Sequence, residues 1–229
     1  SGNRCIEADN QGSSGDWDAE PRAAATVNNM TCIISASDAN IRGDSEGPLL
    51  RRGAATVLNN SVIIDSYART LLGRDGNECS ELNNQPTYDV AEANTLTAFV
   101  STVNVCEEPA KDDGDIPAVI PGFTGFADFA DWWLNAPNNT GNVVIADSAN
   151  PNVVVLEGIY SAAAFADEAG APFAVTPVAV ADVGTNAGGD PIIGAVSADN
   201  DWTAGWTFGL RDTSNGGRLW FNPSTGAAP

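Results

Sequence analysis

The chain has 229 residues, of which 30 are acidic and 10 basic, a formal net charge of −20, and no histidine. That balance excludes nucleic acid and anionic membrane surfaces as partners, because both are held by clustered lysine and arginine, and Lys111 is the only lysine. The missing imidazole removes the commonest general base and the commonest metal ligand, and none of the four cysteines forms a C-x-x-C pair for zinc.

From the N-terminus, Cys5-Ile6-Glu7-Ala8-Asp9 reads as a strand and is followed by a polar, glycine-containing loop. Thr26-Val27-Asn28-Asn29-Met30-Thr31-Cys32-Ile33-Ile34 is the first copy of a phrase that recurs at Thr56 to Ile64 and, degenerately, at Thr97 to Val105. Aligning Thr31, Ser61 and Thr102 gives steps of 30 and 41 residues. Each copy joins an Asn/Ser/Thr step to β-branched residues. Such short strands cannot bury their apolar side alone and must lie on the next copy, so the phrase predicts a β-solenoid. Between the first two copies, Leu49-Leu50-Arg51-Arg52-Gly53 reads as a short strand with a turn. After the second, Arg69 to Asp75 reads as another, and residues 76–94 read as an excursion loop.

The cysteines are Cys5, Cys32, Cys79 and Cys106, for which three pairings are open. Cys5 to Cys32 and Cys79 to Cys106 each span 27 residues, about one coil. Residues one coil apart stack at about 4.8 Å, within disulfide reach. These two bridges are therefore expected, in an oxidising compartment.

Residues 107–115 carry turn formers and no core residues, and predict an exposed acidic loop. Asp112, Asp113 and Asp115 are its candidate calcium ligands, and calcium is the only cofactor the sequence offers, although the spacing is not that of an EF-hand. Phe123 to Asn135 predicts a helix, capped by Thr124 and stopped by Pro137, with Phe123, Phe126, Phe129, Ala130, Trp133 and Leu134 near one face. So many aromatics predict a plug on the end of a core. Val143 to Ala146 and Val153 to Leu156 are apolar runs, and beyond Ala162 the Ala/Gly/Pro-rich chain predicts an extended tail laid along the solenoid. The tail ends in a stretch with Trp202 and Trp206, whose rings either pack as a cap or present flat faces to a ligand. The sequons at Asn29, Asn59 and Asn138 are read as incidental. The divisions are 1–108, β-helix coils; 109–142, acidic loop and short helix; and 143–229, terminal strands and wrapping tail.

Four marks then appear in order: Cys5 to Asn10 (I-E-A-D-N), Pro48 to Gly53 (L-R-R-G), Trp132-Trp133-Leu134-Asn135, and Ile193-Gly194-Ala195 followed by Trp202-Thr203-Ala204-Gly205-Trp206-Thr207. Together they resemble the C-terminal part of a group of bacterial secreted or surface proteins, over roughly residues 4–210. The resemblance implies an all-β, right-handed parallel β-helix with a short helical plug and a long irregular C-terminal tail. It also implies a place outside the cytoplasm, and names no reaction. Members of that group carry many coils before the I-E-A-D-N strand, which here begins at residue 5. A stack that starts there either continues a longer protein or offers its bare coil to a partner.

The function expected is a non-catalytic extracellular surface or structural protein, self-assembling through its first coil or binding another envelope protein, with no transmembrane segment. The alternative is a protein that binds or cleaves polysaccharide through Glu7, Asp9, Arg51, Arg52, Arg74 and Asp75, with Trp202 and Trp206 as stacking rings. Paired carboxylates serve as acid and base in glycoside cleavage, and arginines hold uronate carboxylates. The plainer reading of the same charges is a set of inter-coil ion pairs.

Overall fold

A computed structural model of the chain describes residues 4–34, 47–65, 79–93, 96–106, 111–112, 126, 129–145, 153–180 and 184–204. Among them the chain is mostly short β-strands, with two helices. The first pass contributes β1 (Glu7–Asp9), β2 (Ala24–Asn28) and β3 (Thr31–Ile34). The second contributes β4 (Leu49–Arg51), β5 (Ala55–Asn59) and β6 (Val62–Asp65). The third contributes β7 (Glu81–Asn83), helix α1 (Gln85–Ala93), β8 (Ala98–Val100) and β9 (Val103–Val105). Then come β10 (Lys111–Asp112), helix α2 (Phe129–Asn135) and β11 (Val143–Ile145). The strands stack as three parallel sheets: β1-β4-β7-β10, β2-β5-β8, and β3-β6-β9-β11. A separate antiparallel sheet holds β12 (Val154–Glu157), β13 (Tyr160–Ala166) and β14 (Pro172–Phe173).

Register explains the core. Ala8, Leu50 and Leu82 share one ladder position, and Val27, Leu58 and Phe99 another. Cys32 faces Ile63 in the third sheet. All eight side chains belong to one apolar cluster, so alternate residues of all three sheets turn to a common interior. The third sheet is also buried on its other side. There Val62, Val103, Val105 and Ile145 pack against Val155 and Ile193, with Phe165, Phe173 and Val175 at the margin.

The corner between the second and third sheets is where the repeated phrase acts. Asn29, Asn60 and Ser101 adopt left-handed backbone, with φ of 55°, 51° and 51°, and Gly141 before β11 has φ 70°. Asparagine tolerates this region better than most residues because its short amide bonds locally. Each corner amide donates to the carbonyl one pass on: Asn29 to Asn59 (2.9 Å), Asn60 to Val100 (2.9 Å) and Ser101 to Thr140 (2.8 Å). The true first step is therefore 31 residues, since Thr31 pairs with Val62 rather than Ser61; the second step of 41 is as read. Matching Thr31 to Ser61 by chemistry slipped the first alignment by one; the Asn-Asn pairs carry the register.

Both expected disulfides form, with Cα–Cα separations of 6.1 Å for Cys5–Cys32 and 5.5 Å for Cys79–Cys106. Their placement differs from the reasoning that predicted them. Each closes one pass on itself, from just before its first strand to the third sheet's side, rather than joining stacked passes. Gly47 occupies the position equivalent to Cys5 and Cys79, and a Cβ there would collide with the Cys79 carbonyl.

Three further expectations are corrected. The stretch 76–94 contains α1, whose first turn is organised by Asn84: its carbonyl accepts from the amides of Thr87 (3.0 Å) and Tyr88 (3.3 Å). The helix buries Tyr88, Val90 and Ala91. Within the expected acidic loop Lys111–Asp112 form β10, which pairs with β7, and the rest of 107–115 lies outside the described residues. Helix α2 begins at Phe129, with Phe126 outside it, and buries Phe129, Trp132 and Trp133 while Leu134 is 41% exposed. The helix does plug the interior: Phe99 meets Trp132 edge-on at 6.1 Å and Trp133 at 5.7 Å.

Beyond β14 the chain runs extended to residue 180 and resumes from residue 184 as a strap tied to the corner. Asn60 Nδ2 donates to the Val178 carbonyl and Asn60 Oδ1 accepts from the Val178 amide, both at 2.8 Å. Ser101 Oγ donates to Thr176 O (2.6 Å), and Asn29 Nδ2 to Ile192 O (2.5 Å). The strap approaches so closely that Gly194 is required. Its φ is 88°, and a Cβ would lie 2.6 Å from Ser161 Oγ and 2.9 Å from Thr31 Oγ1.

Candidate functional site

Four of the six charged candidates meet in one cluster. Register puts Asp9 directly beneath Arg51, and Glu7 lies two residues back on the same side of β1. Arg51 Nε donates to Asp9 Oδ1 (2.7 Å), Arg51 Nη2 bonds Glu7 Oε1, and Arg52 Nη1 donates to Asp9 Oδ2 (2.7 Å). Arg52 reaches there because it begins a left-handed turn, φ 53°, continued by Gly53 at φ 79°. A Cβ on Gly53 would strike the Trp17 carbonyl, so this turn fixes both arginines. The Arg51 pKa is raised, chiefly by the hydrogen bond to Asp9 and further by the charges of Asp9, Glu7 and Glu81, against the opposing effect of burial. Two carboxylates and two guanidiniums satisfy one another, which is the geometry of an inter-strand ion-pair network.

Arg74 and Asp75 lie outside the described residues, as do Trp206, Asp113 and Asp115. Asp112 ends β10, where its backbone faces Leu82. Among the described residues no group of three or more His, Cys, Asp or Glu side chains is arranged to hold a metal ion.

Sequence reasoning missed Glu81, which shares the ladder position of Glu7 and Leu49. Its carboxylate is buried, with Arg4 Nη2 3.1 Å away and Asn83 Nδ2 donating at 3.2 Å. The signal was available: Glu81-Leu82-Asn83 copies the Glu7-Ala8-Asp9 pattern two passes on.

Trp202 is not part of the charged cluster. It stands on a turn fixed at both flanks, 52% exposed, with its indole N–H donating to Ala195 O at 2.7 Å. Asp201 Oδ1 accepts from the Thr203 amide (3.0 Å) and hydroxyl (2.6 Å), while Tyr160 donates to Asp201 Oδ2 at 3.0 Å. The ring borders a cleft of about 560 Å³ between strap and corner, shared with Asn28, Asn29, Thr185 and Asn200.

No protein family, curated protein or solved structure matches the chain. No helix among the described residues is long and apolar enough to cross a membrane, which does not address strands of a β-barrel.

Proposed function

We propose that the three parallel sheets are the faces of a right-handed parallel β-solenoid, and that the chain is a non-catalytic structural module of an extracellular or cell-surface protein. Each visit to the three sheets is then one rung, joined by the parallel crossovers that are almost always right-handed. The two disulfides favour an oxidising compartment. The carboxylates that would have to serve as acid and base, Glu7 and Asp9, are both engaged by arginine, which favours a structural role for the cluster.

The observation that carries this reading is the difference between the ends of the stack. At one end β1, β2 and β3 are each outermost in their sheets. At the other, α2 lays Phe129, Trp132 and Trp133 over Phe99. The edge strand β2, Ala-Ala-Thr-Val-Asn, has no charge, bulge or proline to deter pairing. The Ala23 carbonyl and the Asn29 amide both bond the second rung. By the period of two, Ala24, Thr26 and Asn28 turn their backbone groups to the open side. The partner proposed for that edge is a second copy of this chain, meeting it rung to rung, since the far edge of the same sheet, at β8, is engaged by Asn139, Thr140 and Asn142.

Light scattering over a concentration series tests this. Association is expected, and Thr26→Pro, which removes an outward amide without breaking a ladder bond, reduces it to monomer. A wild-type chain that stays monomeric and monodisperse at high concentration contradicts the proposal.

A further inference from the structure

We infer that the cleft beside Trp202 is a binding site for a neutral sugar ring of an oligosaccharide. Its volume of about 560 Å³ falls within the range of small-ligand clefts, about 300–1,000 Å³. Three independent features identify the ligand class.

The first is the ring itself. Trp202 is the most exposed large apolar side chain among the described residues, yet it is not loose. Its indole N–H is committed to Ala195, and the Asp201 bonds hold the turn on which it stands. A rigid, half-exposed aromatic face is costly to leave in water and offers a platform for the C–H face of a pyranose.

The second is the amide chemistry around it. Asn28 Oδ1 accepts from Asn59 Nδ2 at 2.9 Å, and among the described residues no group accepts from its own Nδ2. Asn29 is 6% exposed, its Nδ2 spent on Ile192 and Gly194, and its Oδ1 has no partner. Such a buried acceptor is a vacancy that a hydroxyl, directly or through one water, would fill. Asn200 is held at the rim by its bond to Thr185 O (3.1 Å). Donor and acceptor thus sit beside a flat ring, which suits vicinal hydroxyls.

The third is charge. Among the described residues that line this cleft none is charged. Those residues offer an anionic or cationic ligand no counter-charge, whereas a neutral polyol needs none.

The cleft shares Asn28 with the first-rung edge, so the titrations are run at a dilution at which light scattering shows the monomer, which keeps failure of binding distinct from failure of assembly. The test is titration calorimetry of the whole chain against four neutral hexasaccharides, the cello-, xylo-, manno- and laminari- series, with oligogalacturonate as the acidic comparison. At least one neutral hexasaccharide is expected to bind with Kd below about 1 mM. Trp202→Ala should weaken it about tenfold or more, with Trp202→Phe recovering part of the loss. Asn28→Asp keeps the acceptor for Asn59 but replaces the free donor with a charge, and should weaken binding comparably. Arg51→Ala should leave it unchanged. No binding by any neutral hexasaccharide, binding by oligogalacturonate alone, or neutral binding indifferent to both Trp202→Ala and Asn28→Asp would each overturn the inference.

Discussion

At the scale of single residues, the corner asparagines join two jobs that are usually separate. Asn60 supplies left-handed backbone to the stack and a two-point side-chain contact to the strap. Asn60→Gly keeps the backbone freedom and loses only the contact, at a cost of about 1–3 kcal/mol. Asn60→Ala loses both and should cost about 1–2 kcal/mol more; urea midpoints of the two variants separate the terms. Equal midpoints would mean the left-handed corner carries no strain. The Arg51 cluster behaves differently. A raised folded-state pKa makes this group's contribution fully present below its ordinary value, to be lost only as pH rises through the raised one. The guanidinium therefore stays charged at any working pH, and the Tm difference between wild type and Arg51→Ala should not change between about pH 7 and pH 10. A difference that shrinks across that interval would contradict the assignment.

Elements show what was legible in the sequence and what was not. The strands of the second and third sheets were legible because their repeated copies carry β-branched residues next to an Asn/Ser/Thr corner, whereas β7, Glu-Leu-Asn, carries none and was read as part of a loop. The disulfide pairing was legible from equal spacing, although equal spacing also fits a closure within one pass. Helix α1 was not legible. Its apolar residues, Tyr88, Val90 and Ala91, are few, and it exists because the corner that Arg52 and Gly53 turn tightly in the second pass is widened in the third. The buried face of α2 was misread because Leu134 was placed on it and Trp132 was not. Phe129, Trp132 and Trp133 follow the i, i+3, i+4 stripe, and Leu134 lies off it. Trp132→Ala should cost about 3–5 kcal/mol, while Leu134→Ala should stay within about 0.5 kcal/mol, as thermal melts would report. The reverse order would restore the sequence's version of the helix face. The ion-pair cluster was half legible: the residues were named, but their mutual neutralisation follows from the register of β1 on β4. The cleft at Trp202 was legible only as its exposed ring, since its other wall comes from Asn28 and Asn29, far away in sequence.

For the whole molecule, the two cores explain why the strap is integral. The third parallel sheet is apolar on both sides, and Val62, Val103, Val105 and Ile145 are covered by the antiparallel sheet and the strap together. The proposed solenoid is then covered along one side by the strap and at one end by α2, and among the described residues β1, β2 and β3 are the outermost strands at its other end. The most direct measurement is amide hydrogen exchange at Ala24 and Thr26 in dilute and concentrated protein. The account predicts that both amides, which point away from β5, become protected as the chain associates, and that Thr26→Pro abolishes the protection at Ala24. Exchange at Ala24 and Thr26 that is equally fast at both concentrations, while association proceeds, would place the contact elsewhere and contradict the assignment of the open edge.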